Sequence, residues 1–123
     1  YLAMRRNFMP EMLLAFDLPT PFATVGKRNT SNVPAQALTL ANAPLVHDLC
    51  RLFARRVIAH SDNPAQRLQL AYELAFARKP RANELASLLA FVGAAADQRE
   101  RELRPWSDVV HALVNTTEFR FRR

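Results

Sequence analysis

The sequence predicts an all-α fold, an irregular bundle of four to six helices preceded by a proline-rich, partly irregular N-terminal arm. The chain has only two glycines in 123 residues while alanine and leucine are abundant, a balance that favours helices over sheets with tight turns. Most of the eight prolines stand where a helix is expected to begin, which matches their preference for the first helical turn. Apolar residues recur at three- and four-residue spacing, and no alternating period-two run of useful length predicts a strand.

The first third of the chain, residues 1–43, is predicted to be the irregular arm. Pro10 opens a short helix, and Pro34 opens a second one that ends near Asn42. Pro19 ends the first helix and leads into an irregular stretch, because proline removes a backbone donor and clashes with the preceding turn. The arm is therefore expected to hold short helices joined by constrained loops.

Residues 44–119 are predicted to form the bundle core. Pro44 opens a helix that runs to about His60, with apolar residues along one stripe. A second helix begins after Asn63, whose side chain is a good N-cap, and Gln66 stands where a capping-box partner reaches back. The whole chain is expected to be one helical domain, with the arm and the bundle as its two parts.

The bounds of the remaining helices are predicted in the same way, from prolines and apolar periodicity. The second bundle helix is predicted to end at about Arg78, a third covers about 82–102, and Pro105 separates it from a last helix over about 106–117. The stripes of these helices predict one shared core. Its expected members are Leu49, Phe53, Leu68, Tyr72, Leu85, Leu89, Val92, Trp106, Val110 and Leu113.

Cysteine and histidine usage leaves little room for metal chemistry. Cys50 is the only cysteine, so no disulfide can form within the chain, and its apolar neighbours predict a small buried hydrophobe. His47, His60 and His111 lie on different helices or helix ends and form no pair at helical spacing. Because structural zinc takes about four converging ligands, we expect no metal and no cofactor in this chain.

The charge and hydropathy of the chain limit the classes of partner. The formal net charge is +6, which favours polyanions but serves solubility as often as binding. A nucleic-acid partner is the least supported interpretation, since there is no helix-turn-helix signature and no interleaving of basic residues with stacking aromatics. No apolar run approaches the roughly 20 residues needed to span a bilayer.

The arm carries an unusual density of directed polar side chains, although no catalytic or metal constellation is recognisable among them. One interpretation makes them a pocket for an anion or a set of sugar hydroxyls. The favoured one makes them internal ties, because irregular backbone leaves N–H and C=O groups that side chains must satisfy. The candidate polar cluster comprises Arg5, Arg6, Asn7, Asp17, Arg28, Asn29, Thr30, Gln36, Asn42 and Glu118.

Several polar segments along the chain carry a resemblance to a known family. They are Arg5-Arg6-Asn7, Phe16-Asp17-Leu18-Pro19, Arg28-Asn29-Thr30, Val33-Pro34-Ala35-Gln36-Ala37-Leu38, Arg78-Lys79-Pro80, Glu84-Leu85 and Asn115-Thr116-Thr117-Glu118-Phe119. In this order they resemble the C-terminal part of the planctomycete domain of unknown function 1553 family, found in planctomycete cytochrome c domain-containing proteins. One departure is Arg81, which stands where the family places a Thr or Ser cap, so we expect a less well capped helix start there.

The resemblance implies a context but no activity. It implies that the chain is a fragment, the terminal helical module of a large, exported bacterial protein, located outside the cytoplasm, with any haem elsewhere in that protein. The leading hypothesis is a non-catalytic structural or interaction module that packs against upstream domains. The alternative is part of an enzyme, related to polysaccharide or electron transfer, whose polar Arg/Asn/Gln site is completed by upstream sequence.

Overall fold

A computed structural model describes residues 11–16, 26, 33–94 and 103–120. Within these residues there are seven α-helices and no strand, which confirms the all-α prediction. The helices are α1 (Glu11–Ala15), α2 (Val33–Asn42), α3 (Pro44–His60), α4 (Pro64–Phe76), α5 (Ala82–Ala94), α6 (Leu103–Asn115) and α7 (Thr117–Arg120). The chain divides into two compact units, Tyr1–Ala43 and Pro44–Arg123.

The first unit contains α1 and α2, which contact each other. Side chains near the end of α2 bond back to the preceding turn, because Ser, Thr and Asn readily compete for main-chain groups. The Thr39 hydroxyl donates to the carbonyl oxygen of Ala35 at 2.9 Å. The Asn42 amide donates to the carbonyl oxygen of Leu38, also at 2.9 Å. Both bonds tie a polar side chain to its own helix.

The core of the second unit lies between α3 and α6, which make the most extensive helix–helix contact in the described residues. The face that α6 buries holds Pro105, Trp106, Val109, Val110 and Leu113. The facing side of α3 consists of smaller residues, namely Val46, Cys50, Ala54 and Val57. Small side chains on one helix let the bulk of the other fill the space between the axes at the density of a protein interior.

The predicted core is right for most residues and wrong for Leu49. Among the predicted members, Leu68, Tyr72, Val92, Trp106, Val110 and Leu113 are buried. Phe53, Leu85 and Leu89 are half-buried. Leu49 is 53 % exposed, because α3 turns its narrower, small-residue face toward α6 and leaves the leucine on the adjacent flank.

Capping at the start of α4 follows the prediction only in part. The Asn63 side chain accepts a hydrogen bond from the Ala65 backbone N–H at 2.9 Å, as an N-cap does. Gln66 does not return to the Asn63 backbone. Its side-chain oxygen accepts from the Ser61 hydroxyl, and the same hydroxyl accepts from the Asn63 N–H at 3.0 Å. The serine therefore takes the place that the capping-box glutamine was predicted to fill.

The last helices begin and end differently from the prediction. Helix α6 begins at Leu103 and contains Pro105 in its first turn, where proline removes only a donor that has no intrahelical partner. After Asn115 the chain starts a new short helix, because the Thr116 hydroxyl accepts from the Phe119 N–H at 3.3 Å and caps α7. The predicted continuation of the third bundle helix through 95–102 lies outside the described residues.

Helix α4 ends at Phe76, two residues before the predicted end. Ala77 adopts the left-handed conformation, with φ 56° and ψ 29°, and its N–H donates to the carbonyl oxygen of Glu73. This is the usual way to end a helix, but the residue is normally glycine, since an L side chain is strained at positive φ. The turn redirects the chain so that Arg78 leaves the helix axis.

Replacing Ala77 by glycine is expected to raise the free energy of unfolding by about 0.5–1 kcal/mol, because glycine adopts this conformation without the steric clash. The matched control is Ala86→Gly, at an exposed position inside α5, which is expected to lower the free energy by about 0.5–1 kcal/mol. Urea denaturation of both variants measures the two changes. Equal destabilisation by the two substitutions would contradict the left-handed cap.

Candidate functional site

The structure describes three of the ten residues of the candidate polar cluster. Arg5, Arg6, Asn7, Asp17, Arg28, Asn29 and Thr30 lie outside the described residues. Gln36 is half-buried on α2, and Asn42 is exposed at the end of the same helix, where its amide bonds the Leu38 carbonyl. That bond lies within α2, and the interpretation of Asn42 as an internal tie stays a prediction. Glu118 is exposed on α7 and belongs to a cluster of charged side chains.

The charged side chains around Glu118 are centred on Arg78, whose guanidinium bonds two carboxylates. Its Nε and Nη2 donate to the two oxygens of Glu118 at 2.6 and 2.8 Å. Its Nη1 and Nη2 donate to the two oxygens of Glu84 at 2.9 and 2.8 Å. Both pairs are bidentate, the geometry in which a planar guanidinium binds a carboxylate most strongly. We call Arg78, Glu84 and Glu118 the Arg78 cluster.

Three helix ends bring the members of the Arg78 cluster together. Arg78 follows the left-handed turn at Ala77, directly after α4. Glu84 lies in the first turn of α5, where its carboxylate also accepts from the Arg81 N–H at 2.7 Å. That bond is one half of a capping box, so Glu84 supplies part of the capping that the side chain of Arg81 cannot. Glu118 lies in the first turn of α7, where a carboxylate is favoured by the helix dipole.

Every N–H group of the Arg78 guanidinium has an acceptor within the protein. Besides its bonds to Glu84 and Glu118, Nη1 donates to the carbonyl oxygen of Lys79 at 3.0 Å. Because a guanidinium has five N–H donors, these bonds use all of them. The flat face of the group is also covered, since its central carbon lies 5.2 Å from the ring centre of Tyr72 and 5.5 Å from that of Phe76.

The electrostatics follow from this geometry. Hydrogen bonds from Arg78, then from the Arg81 backbone, lower the pKa of Glu84 to about 2. Hydrogen bonds from Arg78 likewise lower the pKa of Glu118, and the two carboxylates raise the pKa of Arg78. Burial, followed by the negative charge of Glu84, raises the pKa of the Tyr72 hydroxyl. The cluster therefore stays fully ionised over the physiological pH range.

Sequence reasoning singled out Glu118 but missed Arg78 as its partner. In the sequence, Arg78 is part of a basic stretch with Lys79 and Arg81, and Arg5 or Arg28 is the predicted partner of an acid such as Asp17 or Glu118. Arg5 and Arg28 lie outside the described residues, so their pairing stays a prediction. The sequence does contain a signal for Glu84. It follows Arg81, the residue before α5, by three positions, and an acid at this spacing is the capping-box pattern that predicts a bond to the helix start.

Two histidines also meet, although the sequence offered no sign of it. The rings of His47 on α3 and His111 on α6 lie with their centres 4.3 Å apart and their planes tilted by 38°. Two imidazoles fall short of the donor set of a structural zinc site. Across the described residues no group of three or more His, Cys, Asp or Glu side chains is arranged to hold a metal ion.

The one cysteine of the chain, Cys50, has no features of a reactive thiol. Cys50 is buried and unpaired, as predicted, and burial raises the pKa of its thiol. A protonated, buried thiol is a poor nucleophile.

In the part of the chain that the structure describes, no helix is long and apolar enough to cross a bilayer.

Comparison with known proteins gives one match. The family model described as PSD1, protein of unknown function (DUF1553), matches residues 1–92, which is more than half of the chain. The matched range contains Arg78 and Glu84 but ends before Glu118. The resembling segment Asn115-Thr116-Thr117-Glu118-Phe119 therefore lies beyond it. No curated protein and no solved structure matches the chain.

Removing the arginine of the cluster is expected to weaken the fold. Arg78→Ala should lower the free energy of unfolding by about 1–3 kcal/mol, because it removes charge-assisted bonds at a position only 27 % exposed and leaves two carboxylates facing each other. Arg78→Lys should fall between this variant and the wild type, since one ammonium cannot bond both carboxylates in the bidentate manner. The control Arg55→Ala, at an exposed position on α3, should change the value by less than about 0.5 kcal/mol. Urea denaturation measures all three, and wild-type stability for Arg78→Ala would contradict the structural role.

The contribution of Glu84 should depend on pH in a defined direction. Its pKa in the folded chain is lowered to about 2 from an ordinary value of 4.5, so the folded state favours the ionised carboxylate. The stability gained is therefore fully present above about pH 4.5 and is lost as the pH falls toward about 2. The difference in unfolding free energy between the wild type and Glu84→Gln should shrink across that window in urea titrations. A difference that stays constant from neutral to strongly acidic pH would be evidence against the ion pair.

Proposed function

We propose that this chain, which belongs to the DUF1553 family of proteins of unknown function, serves as a non-catalytic structural and interaction module. The finer part of the proposal draws on the planctomycete resemblance. That resemblance supports a large exported parent protein in which this chain is the C-terminal module, located outside the cytoplasm. The partner we propose is the upstream part of the same protein.

The geometry of the Arg78 cluster supports a structural rather than a catalytic role for its charged side chains. All five donors of Arg78 are bonded to protein oxygens, so none is left to bind an anionic substrate or to stabilise developing negative charge. A carboxylate with a pKa of about 2, as Glu84 has, is also a weak base near neutral pH. The cluster fastens helix ends together.

The observation that carries the proposal is an apolar surface on α3. Leu45, Leu49 and Leu52 are 48, 53 and 59 % exposed, and their spacing of four and three residues aligns them along one side of the helix. We call them the α3 leucine stripe. Single exposed leucines are common on protein surfaces, but three in one row form a patch of the kind that marks an interaction site.

The energetics favour a partner for this stripe. Burying the exposed half of each leucine would contribute on the order of 1 kcal/mol per side chain, given about 1.5–3 kcal/mol for complete burial. The stripe is not needed to hold the bundle together, because α3 packs on α6 through Val46, Cys50, Ala54 and Val57. The outer leucines are therefore free to bind a partner without disturbing the core.

Polar substitution of the stripe is expected to weaken binding while leaving the fold intact. The variant Leu45→Gln/Leu49→Gln/Leu52→Gln should bind the separately expressed upstream part of the parent protein at least about tenfold more weakly than the wild type, since the contact loses most of its apolar burial. Isothermal titration calorimetry measures the affinity, and thermal denaturation checks that the variant remains folded.

The matched control is Leu74→Gln, which changes another exposed leucine on α4, away from the stripe. This variant should bind within about twofold of the wild type, as expected of a position outside the contact. Absence of binding between the upstream part and the wild-type chain would refute the proposed partner. Equal binding by the triple variant and the wild type would refute the role of the stripe.

A further inference from the structure

We infer that the partner of the α3 leucine stripe is a protein helix whose apolar residues are flanked by carboxylates. This inference rests on the proposed function, because it names the chemistry of the partner that the stripe would bind. It comes from the charges beside the leucines and from the width of the apolar surface. Both are properties of α3 alone.

The charges beside the stripe are predominantly positive. Arg51, Arg55 and Arg56 are all exposed on α3. Arg56 follows Leu52 by four residues and so continues the row of leucines, and Arg55 lies about a quarter-turn from that row, whereas Arg51 lies farther round the helix. The one carboxylate of α3 is Asp48, which lies 3.7 Å from Arg51 while both side chains remain about two thirds exposed.

These charges select the sign of the partner. Asp48, the acid of α3, already lies near Arg51, so Arg55 and Arg56 face solvent beside the leucines with little compensation from α3 itself. A partner with Asp or Glu next to its apolar residues would bring opposite charges together, which raises the association rate and fixes the register. A second copy of this chain paired in parallel would instead place arginines opposite arginines, and the electrostatics therefore disfavour a parallel dimer through this surface.

The width of the stripe selects a helix as the partner. The three leucines span two turns, about 10 Å along the axis at about 1.5 Å per residue, and form a single row. One row fits into the groove of one facing helix. A helix that lies on a membrane presents a broad apolar face, whereas the other apolar face of α3 is already buried against α6.

The test uses the whole chain and two synthetic helical peptides that share leucines at the same spacing. One peptide carries glutamates beside its leucines and the other carries lysines at those positions. Each is titrated into isotope-labelled protein while amide chemical shifts are followed by NMR. The acidic peptide should shift the signals of Leu45, Leu49 and Leu52, and the basic peptide should not. Binding should weaken as salt is added, because exposed charges are screened.

Charge reversal gives the matched comparison. The double variant Arg55→Glu/Arg56→Glu should bind the acidic peptide about tenfold more weakly than the wild type, since two favourable surface charges become repulsive. Lys79→Glu/Arg104→Glu makes the same change in net charge at exposed positions away from the stripe. This control should bind within about twofold of the wild type.

Three outcomes would overturn the inference. They are a failure of the acidic peptide to shift the stripe, equal weakening by the two double variants, and stripe shifts caused by anionic phospholipid vesicles but not by the acidic peptide. The proposed interaction role can be tested separately from the acidic character of the partner. If the upstream part binds through the leucines and Arg55→Glu/Arg56→Glu leaves that binding unchanged, the acidic character of the partner is wrong and the interaction role stands.

Discussion

The volume of the α6 face governs how the second unit is arranged. Trp106 and three aliphatic residues of α6 are almost fully buried, and α3 is the helix that α6 contacts most extensively. Space beside such a bulky face is limited. The side of α3 that packs there is therefore the one that carries small side chains of alanine, cysteine and valine. The orientation of α3 about its axis follows from this fit, and so does the side on which its large leucines emerge.

The same fit explains why the apolar surface of the chain lies where it does. Turning α3 to bury Leu49 would expose Ala54 and force a larger side chain against the bulk of α6, and overpacking of this kind is destabilising. The leucines are left in a row on the outside, next to exposed arginines. One packing constraint in the core thus determines both the position and the neighbours of the surface that we propose as the docking site.

The Arg78 cluster plays a different part, at the ends of helices instead of between their faces. One guanidinium, held by the left-handed turn at Ala77, bonds the first turns of α5 and α7 at once. It also covers the ring of Tyr72, a core residue, so the polar tie and the apolar core meet at one position. Its donors are used completely within the chain, so this dense group of charges ties helix ends together.

The sequence by itself determined the all-α class and the starts of α3 and α4, because proline positions, cap residues and apolar periodicity are local properties. Pro44 and Pro64 stand at the starts of α3 and α4, and Asn63 caps as its side chain predicts. The tertiary structure alone decided which apolar face of α3 is buried, since periodicity gives two faces and only the shape of α6 chooses between them. It also decided that Glu118 meets Arg78, 40 residues away in sequence. Such a pairing depends on where helix ends converge in space, and no local pattern encodes that.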